Sequence, residues 1–487
     1  MLSDEYPLTF SPGRAGALQP IRRPPQNAQT VLLAPVLLAS ALIQVLCHPF
    51  VRRWLLALMI LDIPLECGTH LGFRPDAAVL GAIEGFDLSV TSLSLAGLWI
   101  GWIFSARARN EKLRFSVHWP IVAYTLIVAA SWFVATDGTL SLFQVFLLAQ
   151  MLLFYIYVSS NVHSREEIAW IVWLLLAGAA VESLVVLAMA VTGDDFSFLR
   201  IFGMKTQIDL PGPTGGFTRP GGTVGSPNYT SAYLGMLMTL AACVWQMQVL
   251  RRWRRLAILV FFLAAMALAC TFSRGGWIAV VLSLAILGGS RWHRGGLSRK
   301  TAGASVAGLV LAATFLLVPN PISARALGDD EGSAHSRVPL MHLAFRVIEA
   351  NPLLGVGANN FGAVMNDYAG SEFRHEWIYT VHNQFLLVGA ETGIIGLVAY
   401  LWVLLSVIRN GWRLWKVGDE MFSPLALSMI AAVCGLMSHM FVDIFSGRAV
   451  VQLVWLFAAL LAAMGAILAR ERHATILAPQ PMAANAR

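Results

Sequence analysis

The sequence predicts an all-α membrane protein, a polytopic bundle of about 12 transmembrane helices with one long polar loop that contains short helices. Hydrophobic residues make up 57% of the chain and charged residues only 13%, whereas a soluble domain carries about a quarter charged residues. The mean hydropathy is +0.67. Apolar runs of membrane-spanning length recur along the chain, and backbone groups in lipid are satisfied most simply within helices.

The chain divides into three predicted regions. Residues 1–29 are rich in proline and arginine and are predicted to be a disordered polar tail. Residues 30–470 are predicted to form a single transmembrane domain, and residues 471–487 a cytoplasmic tail. The candidate spans are the apolar runs at 31–47, 54–66, 88–104, 117–135, 140–159, 168–191, 229–249, 256–271, 276–289, 303–318, 383–408, 423–444 and 449–469.

Clusters of Lys and Arg in short loops predict which side of the bilayer each loop occupies. The net charge of +7 comes largely from such clusters, which favours a topology signal over nucleic-acid binding. If the clusters are cytoplasmic, the long connections 192–228 and 319–381 face the periplasm of a bacterial inner membrane. Residues 31–66 are then expected to hold one crossing and a partial or interfacial segment. The clusters lie at 107–114, 251–255, 291–300 and 409–416.

The first candidate site is the Gly- and Pro-rich end of the first outer loop, residues 217–228. Glycine and proline permit a tight backbone that can lie against a ligand, and Arg219 offers a planar guanidinium suited to a phosphate. The alternative is a turn-rich loop whose arginine is solvated.

The second candidate is Arg274, in the segment 273–276 between two apolar runs. An arginine near bilayer depth costs on the order of 2–3 kcal/mol on insertion scales, so it usually faces a polar cavity or an anion. The alternative is an arginine that extends its side chain to the outer interface.

The third candidate is His382 with Asn383, where the long loop enters the next apolar run. An imidazole can take a proton from an attacking hydroxyl near neutral pH. A helix cap or an interface residue is the alternative. Glu391 follows nine residues later, about two and a half helical turns on, so its side chain need not meet His382.

The long loop is predicted to contain an amphipathic helix that lies on the membrane surface or caps the bundle. Arg337 precedes this helix and is either a further phosphate partner or a surface charge. The Gly-rich segment 351–362 does not follow a strand in a βαβ unit, so a dinucleotide site is not indicated. The apolar stripe of the helix comprises Leu340, Leu343, Ala344 and Val347.

Several polar residues lie within the apolar runs, namely Asp62, Glu182, His439 and Asp443. Polar groups inside membranes are often functional. Pairing with one another or with Arg448, which would fix helix packing, is the interpretation that we favour here.

Taken together, these segments resemble the O-antigen ligase and polymerase superfamily. The resemblance covers about residues 215–410, and the first five spans match only in being apolar. The matching features are Arg219 ahead of Asn228, Ser273-Arg274-Gly275-Gly276, the segment 351–357, and His382-Asn383 with Glu391-Thr392-Gly393.

The resemblance implies a GT-C-like helical fold and a metal-independent, inverting glycosyltransferase without a cofactor. Its donor would be an undecaprenyl-pyrophosphate-linked glycan at the periplasmic face. The implied roles are pyrophosphate binding by Arg219 and Arg274 with Arg337 as a further candidate, activation or orientation of the acceptor hydroxyl by His382, and support by Asn228, Asn383 and Glu391.

The matching motifs do not identify the acceptor. A lipid-linked repeat would make the protein a polymerase of exopolysaccharide or O-antigen, which we favour slightly. Lipid A core would make it an O-antigen ligase. A small-anion transporter of the bicarbonate type is the alternative from another class, and it would be favoured by charges deep in several spans and by discontinuous helices in both halves.

Overall fold

The computed structural model describes residues 38–79, 81–209, 218–293, 337–370 and 379–477. The predicted tail 1–29 and the apolar run 303–318 lie outside these residues, as do parts of both predicted outer loops and the last part of the predicted cytoplasmic tail.

The described residues are mostly helical, and the long helices overlap the predicted apolar runs, although α13 and α15 extend eight to nine residues past theirs. In chain order they are α1 (Leu38–Cys47), α2 (Pro49–Leu65), α3 (Pro75–Val79), α4 (Val90–Ala108), α5 (Trp119–Ala130), α6 (Gly138–Asn161), α7 (Arg165–Thr192), α8 (Pro227–Gln246), α9 (Arg254–Cys270), α10 (Arg274–His293), α11 (Arg337–Ala350), α12 (Phe361–Val364), α13 (Gln384–Val417), α14 (Phe422–His439) and α15 (Arg448–Leu477).

Two short antiparallel ribbons depart from the all-α prediction. Strand β1 (Gly68–Leu71) pairs with β2 (Phe86–Ser89), and β3 (Ile208–Asp209) pairs with β4 (Arg219–Pro220). Both ribbons lie in connections between long helices, where backbone groups can pair between strands. The second ribbon contains Arg219, the first candidate site residue.

Six helices in the described part of the chain are long and apolar enough to cross a membrane, and α1 with α2 makes a seventh if this pair, bent by 77°, counts as one span. The predicted number of about 12 crossings is therefore not confirmed. Two apolar runs gave helices shorter than a span, Trp119–Val134 and Arg274–Ser290. The six helices are Gly138–Asn161, Arg165–Thr192, Arg251–Cys270, Gln384–Val417, Phe422–His439 and Arg448–Ile476.

Helices α14 and α15 occupy the centre of the bundle. In each of them 78% of the most apolar stretch is buried, against 28% in the span Arg251–Cys270. Helix α14 packs against α10, α13 and α8, and α15 packs against α6. The span Arg251–Cys270 therefore lies at the periphery of the bundle with most of its apolar surface exposed, and the turn between α14 and α15 is held from several sides.

Helix α13 is broken at Gly393, whose backbone (φ 68°, ψ −176°) is not helical. The segment that precedes α12 docks into this break. The amide of Ile394 donates to the carbonyl of Pro352 over 2.8 Å, and the amide of Val356 donates to the carbonyl of Ala390 over 3.0 Å. The Gly-rich loop predicted from the sequence therefore satisfies backbone groups that the break leaves open.

The amphipathic helix predicted in the long loop is confirmed as α11. Its predicted stripe is buried, and it packs on α13 together with Phe361 and Val364 of α12. This small second core also includes Val381, next to His382. Helix α11 therefore caps the end of the bundle at which His382 lies.

Candidate functional site

His382 and Asp443 form a hydrogen-bonded pair at the capped end of the bundle. Nδ1 of His382 lies 3.2 Å from Oδ1 of Asp443. The His382 side chain keeps 28% of its surface exposed, whereas that of Asp443 keeps only 5%. The same Oδ1 atom accepts a hydrogen bond from the amide of Ile444 over 2.9 Å. The carboxylate is thus fixed from behind, while the imidazole faces outward.

Asp443 lies in the turn between α14 and α15. Burial acts to raise the pKa of Asp443, but the hydrogen bond and charge of His382, together with His439, lower it more, so the pKa lies below its usual range. Asp443 is therefore a carboxylate at neutral pH. A carboxylate next to Nδ1 selects the tautomer with the proton on Nδ1 and leaves Nε2 as a proton acceptor.

The surroundings of His382 fix its orientation. The ring of Tyr379 stacks on the imidazole with centroids 5.5 Å apart and planes at 18°. Oδ1 of Asn383 accepts from the amides of Phe385 and Leu386 over 3.0 Å each and so caps the start of α13. Its Nδ2 also donates to the carbonyl of Phe441 over 3.1 Å. Asn383 therefore has a positioning role, since it holds the backbone next to His382.

Arg219 is held on two sides. Its Nη2 donates to Oδ1 of Asn228 over 2.8 Å, and its Nε donates to the carbonyl of Thr271 over 3.0 Å. The structure thus joins two residues that the sequence had placed in one motif. Thr271 stands three residues before Arg274, so the same contact links the Arg219 ribbon to the start of α10.

Glu182 anchors the loop that follows Arg219, a role that the sequence did not reveal. Its buried carboxylate accepts a hydrogen bond from the Thr223 amide over 3.0 Å and a short one from the Thr223 hydroxyl. Gly222 has φ +59°, and a Cβ there would lie 1.9 Å from Oε1 of Glu182. Only glycine fits, because any side chain would collide with the carboxylate.

Arg274 and Arg337 are the first residues of α10 and α11, and both helices begin near His439. A Cβ on Gly275 would lie 2.4 Å from Cδ2 of His439, so the start of α10 lies against this ring. Arg337 lies within electrostatic range of the His439 ring. His439 precedes Asp443 by four residues. The two arginines therefore lie around the turn that carries the partner of His382.

Aromatic contacts connect this turn to the Arg219 motif. The ring of Phe445 lies 4.8 Å from that of His439 and 5.5 Å from that of Tyr229. Tyr229 follows Asn228, the partner of Arg219. A continuous set of contacts thus joins Arg219 to the His382 and Asp443 pair through the turn between α14 and α15.

Glu391, predicted to support the site, does not reach His382. Its Oε1 accepts from the amide of Phe361 over 3.3 Å, and its carbonyl accepts from the amide of Gly357 over 2.9 Å. Glu391 therefore holds the Gly-rich loop in the break of α13. Glu391 thus holds the Gly-rich loop in place beneath α11.

The predicted helix-packing role of the buried charges is correct for Asp62 and wrong for Asp443. Arg448 forms ion pairs with Asp62 over 2.8 Å and with Asp87 over 2.9 Å. Asp443 instead pairs with His382. Sequence spacing had suggested a pair between Asp443 and His439, four residues apart, but the chain leaves its helix at His439, so the two side chains do not share a helix face.

Two findings bear on which ligands the site could hold. In the part of the chain that the structure describes, no three His, Cys, Asp or Glu side chains are grouped as a metal site would require. The functional groups that do converge are arginines and one hydrogen-bonded histidine. Guanidinium groups suit an anion with several oxygens, such as a phosphate or pyrophosphate.

Residues 259–401 match the family model described as O-Antigen ligase. This match supports the O-antigen ligase and polymerase superfamily for this segment of the chain. The O-antigen ligase match begins within α9, includes Arg274, Arg337 and His382, and ends within α13, whereas Arg219 and Asp443 lie outside it. The family supports ligase- or polymerase-type glycan transfer with lipid-linked glycan and saccharide substrates. No curated protein matches the chain.

Proposed function

We propose that the protein transfers a glycan from an undecaprenyl-pyrophosphate-linked donor to an acceptor hydroxyl, at the periplasmic face of a bacterial inner membrane. The observation that carries this proposal is the hydrogen bond between His382 and buried Asp443, 3.2 Å long. Asp443 follows His439 by four residues, and the helices that begin at Arg274 and Arg337 start near His439. A proton acceptor next to guanidinium groups is what displacement of a pyrophosphate by a hydroxyl needs.

The proposed reaction is a single displacement without a metal. Nε2 of His382 takes the proton of the acceptor hydroxyl as its oxygen attacks the anomeric carbon. The bond from that carbon to the pyrophosphate oxygen breaks, and the electron pair leaves with the pyrophosphate. Attack from the face opposite the leaving group inverts the anomeric centre. Asp443 stabilises the imidazolium that forms.

The negative charge that develops on the leaving group is assigned to the arginines. Arg219 is rigid because Asn228 and Thr271 hold two of its nitrogens, and a rigid guanidinium needs little reorganisation in the transition state. Arg274 and Arg337 project from helix starts, where backbone amides add further positive potential. Three cations around one pyrophosphate would replace the charge that a metal supplies in other enzymes.

The acceptor is proposed to be another lipid-linked repeat, which makes the protein a polymerase of exopolysaccharide or O-antigen. Lipid A core as the acceptor would make it a ligase. The two differ in the group presented to His382, so supplying either acceptor to the purified protein distinguishes them.

The test is to incubate the purified full-length protein with lipid-linked repeat units, with and without lipid A core, and to separate the products by gel electrophoresis. A ladder of increasing length from the repeats alone supports polymerisation. A product formed only with lipid A core supports ligation. Failure to bind the lipid-linked donor contradicts both and favours an anion transporter.

The site assignment is tested with Arg219→Ala, Arg274→Ala and His382→Ala, each expected to abolish transfer while the protein remains folded in the membrane. The matched controls are Arg255→Ala and His473→Ala, because both are exposed and lie outside the site. Normal product from all three site variants would show that the reaction occurs elsewhere.

A further inference from the structure

A cavity of about 690 Å³ lies between α1, α2, α4 and α6, far from His382. Its size is within the range of small-molecule sites, roughly 300–1,000 Å³. One part of its wall is apolar and includes Leu46, Leu98 and Trp102. Another part is formed by the connection that follows α4 and by the end of α6.

The cavity lies at the end of the bundle opposite to His382. The connection after α4 leads to His118, whose Nε2 is 3.3 Å from Nδ2 of Asn410. Asn410 stands near the end of α13, and His382 directly before its start. At 1.5 Å per residue a straight helix of this length would extend about 40 Å. This distance is comparable to a bilayer, so the cavity opens at the other membrane interface.

The polar wall of the cavity is strongly cationic. It carries Arg52, Arg109, Lys112 and Arg114 but only one carboxylate, Glu111. Arg52 is fixed, since its Nη2 donates to the carbonyl of Asn161 over 2.7 Å and to Glu167 over 2.9 Å. Arg109 pairs with Glu111 over 3.0 Å. Among the residues that the structure describes, Lys112 and Arg114 form no ion pair.

The apolar wall is continuous with the lipid-facing surface. Helix α1 is held closely against α4, because a Cβ on Gly101 would lie 2.4 Å from the carbonyl oxygen of Leu46. The outer face of α1 is exposed and apolar, with Leu38 75% and Leu42 58% accessible. A ligand in the cavity would thus have its charged end at the cations and its apolar end against side chains that adjoin the acyl region.

We propose that this cavity binds an anionic phospholipid from the leaflet at that interface. The phosphate would lie between Lys112, Arg114 and Arg52, and the first part of an acyl chain would follow Leu46 and Leu98. Basic pockets between transmembrane helices favour anionic headgroups, and each cation near the surface adds to the affinity. A free phosphate would satisfy the cations but would leave the apolar wall unoccupied. The proposal is independent of the proposed function.

Binding can be measured by native mass spectrometry of the delipidated full-length protein, titrated with phosphatidylglycerol or with phosphatidylcholine. We expect phosphatidylglycerol to bind preferentially. The double variant Lys112→Gln/Arg114→Gln should weaken that binding roughly 30-fold, since two cationic contacts are lost. Ser105→Trp should weaken it as well without changing any charge, because the indole would fill the cavity that Ser105 lines.

The matched control is Arg254→Gln/Arg255→Gln, which removes two exposed charges from the start of α9 outside the cavity. Unchanged phosphatidylglycerol binding in this control, together with weaker binding in both cavity variants, supports the cavity as the lipid site. Equal loss in the control and in the double cavity variant would show diffuse surface attraction instead. Equal binding of phosphatidylcholine, or displacement of the lipid by millimolar inorganic phosphate, would overturn the assignment of an anionic phospholipid.

Discussion

Nδ1 of His382 and Oδ1 of Asp443 are 3.2 Å apart, although 61 residues separate them in the chain. His382 ends the long polar loop, and Asp443 lies in the turn between the two central helices. The amide of Ile444 holds the carboxylate oxygen that faces the imidazole. Asp443 is therefore fixed and His382 is exposed, as expected for a positioning residue and the proton acceptor that it orients.

Replacing Asp443 by asparagine should lower the rate of glycan transfer by about 10²–10⁴-fold, because an amide can hold the imidazole in the wrong tautomer and does not stabilise its protonated form. Donor binding and folding should persist, since the two side chains have nearly the same shape. Initial rates with a lipid-linked donor measure the effect. The control is Asp367→Asn, the same change at an exposed position. A rate within a fewfold of wild type would contradict the role of Asp443.

Gly393→Ala should destabilise the protein by at least about 1–3 kcal/mol, since the backbone at this position is accessible almost only to glycine. A Cβ would also lie 2.1 Å from the carbonyl oxygen of Leu353 and would displace the docked loop. Thermal unfolding in detergent measures the change. Gly465→Ala is the control, because its nearest neighbour would be 3.9 Å away and alanine favours a helix interior. Equal stability of the two variants would argue against the docked loop.

Arg448→Met should cost about 3–5 kcal/mol of stability, because it leaves Asp62 and Asp87 without the guanidinium that pairs with both of them. The side chain of Arg448 is only 3% exposed, so water cannot replace the lost partner. The control is Arg470→Met, an exposed position toward the other end of the same helix. Unfolding of both variants at the wild-type temperature would show that the buried ion pairs do not contribute to stability.

Alkylation of Cys67 should be slow at neutral pH, because burial and the nearby charge of Asp62 raise the pKa of this thiol to about 11. Only the thiolate reacts, and below the pKa its fraction rises tenfold per pH unit. The alkylation rate should therefore increase about 30-fold from roughly pH 8 to pH 9.5. A variant that retains Cys67 as its only cysteine is used for the measurement.

A small free thiol in the same detergent is the control for the Cys67 experiment. Its pKa is near 8.5, so its rate should begin to level off over the same range. If the rate of Cys67 levels off together with that of the free thiol, the environment of Cys67 is more solvated than the structure shows.

The sequence predicted the helices well because a chain in lipid must form its backbone hydrogen bonds internally. Apolar runs such as 140–159 and 168–191 must satisfy their backbone groups internally, so they became α6 and α7. The buried face of α11 was also predictable, because apolar residues recur along it with the 3.6-residue period of a helix. The number of membrane crossings could not be predicted, because an apolar run does not show where its helix bends or ends.

The break in α13 shows the limit of local patterns. The sequence predicts the run 383–408 as one continuous apolar span. In the structure Gly393 opens the helix, and residues 352–356 fill the gap with their own backbone groups. The sequence of neither segment predicts its contact with the other, because backbone hydrogen bonds depend little on which side chains are present.

The sequence by itself determined that the protein is a helical membrane protein, and it indicated Arg219, Arg274 and His382 as candidate site residues. Only the tertiary structure decided the partners: Asp443 for His382, Asn228 for Arg219, and Thr223 for Glu182. The reason is physical. Hydropathy acts on each segment separately, whereas hydrogen bonds between distant segments exist only after packing has brought the buried groups together.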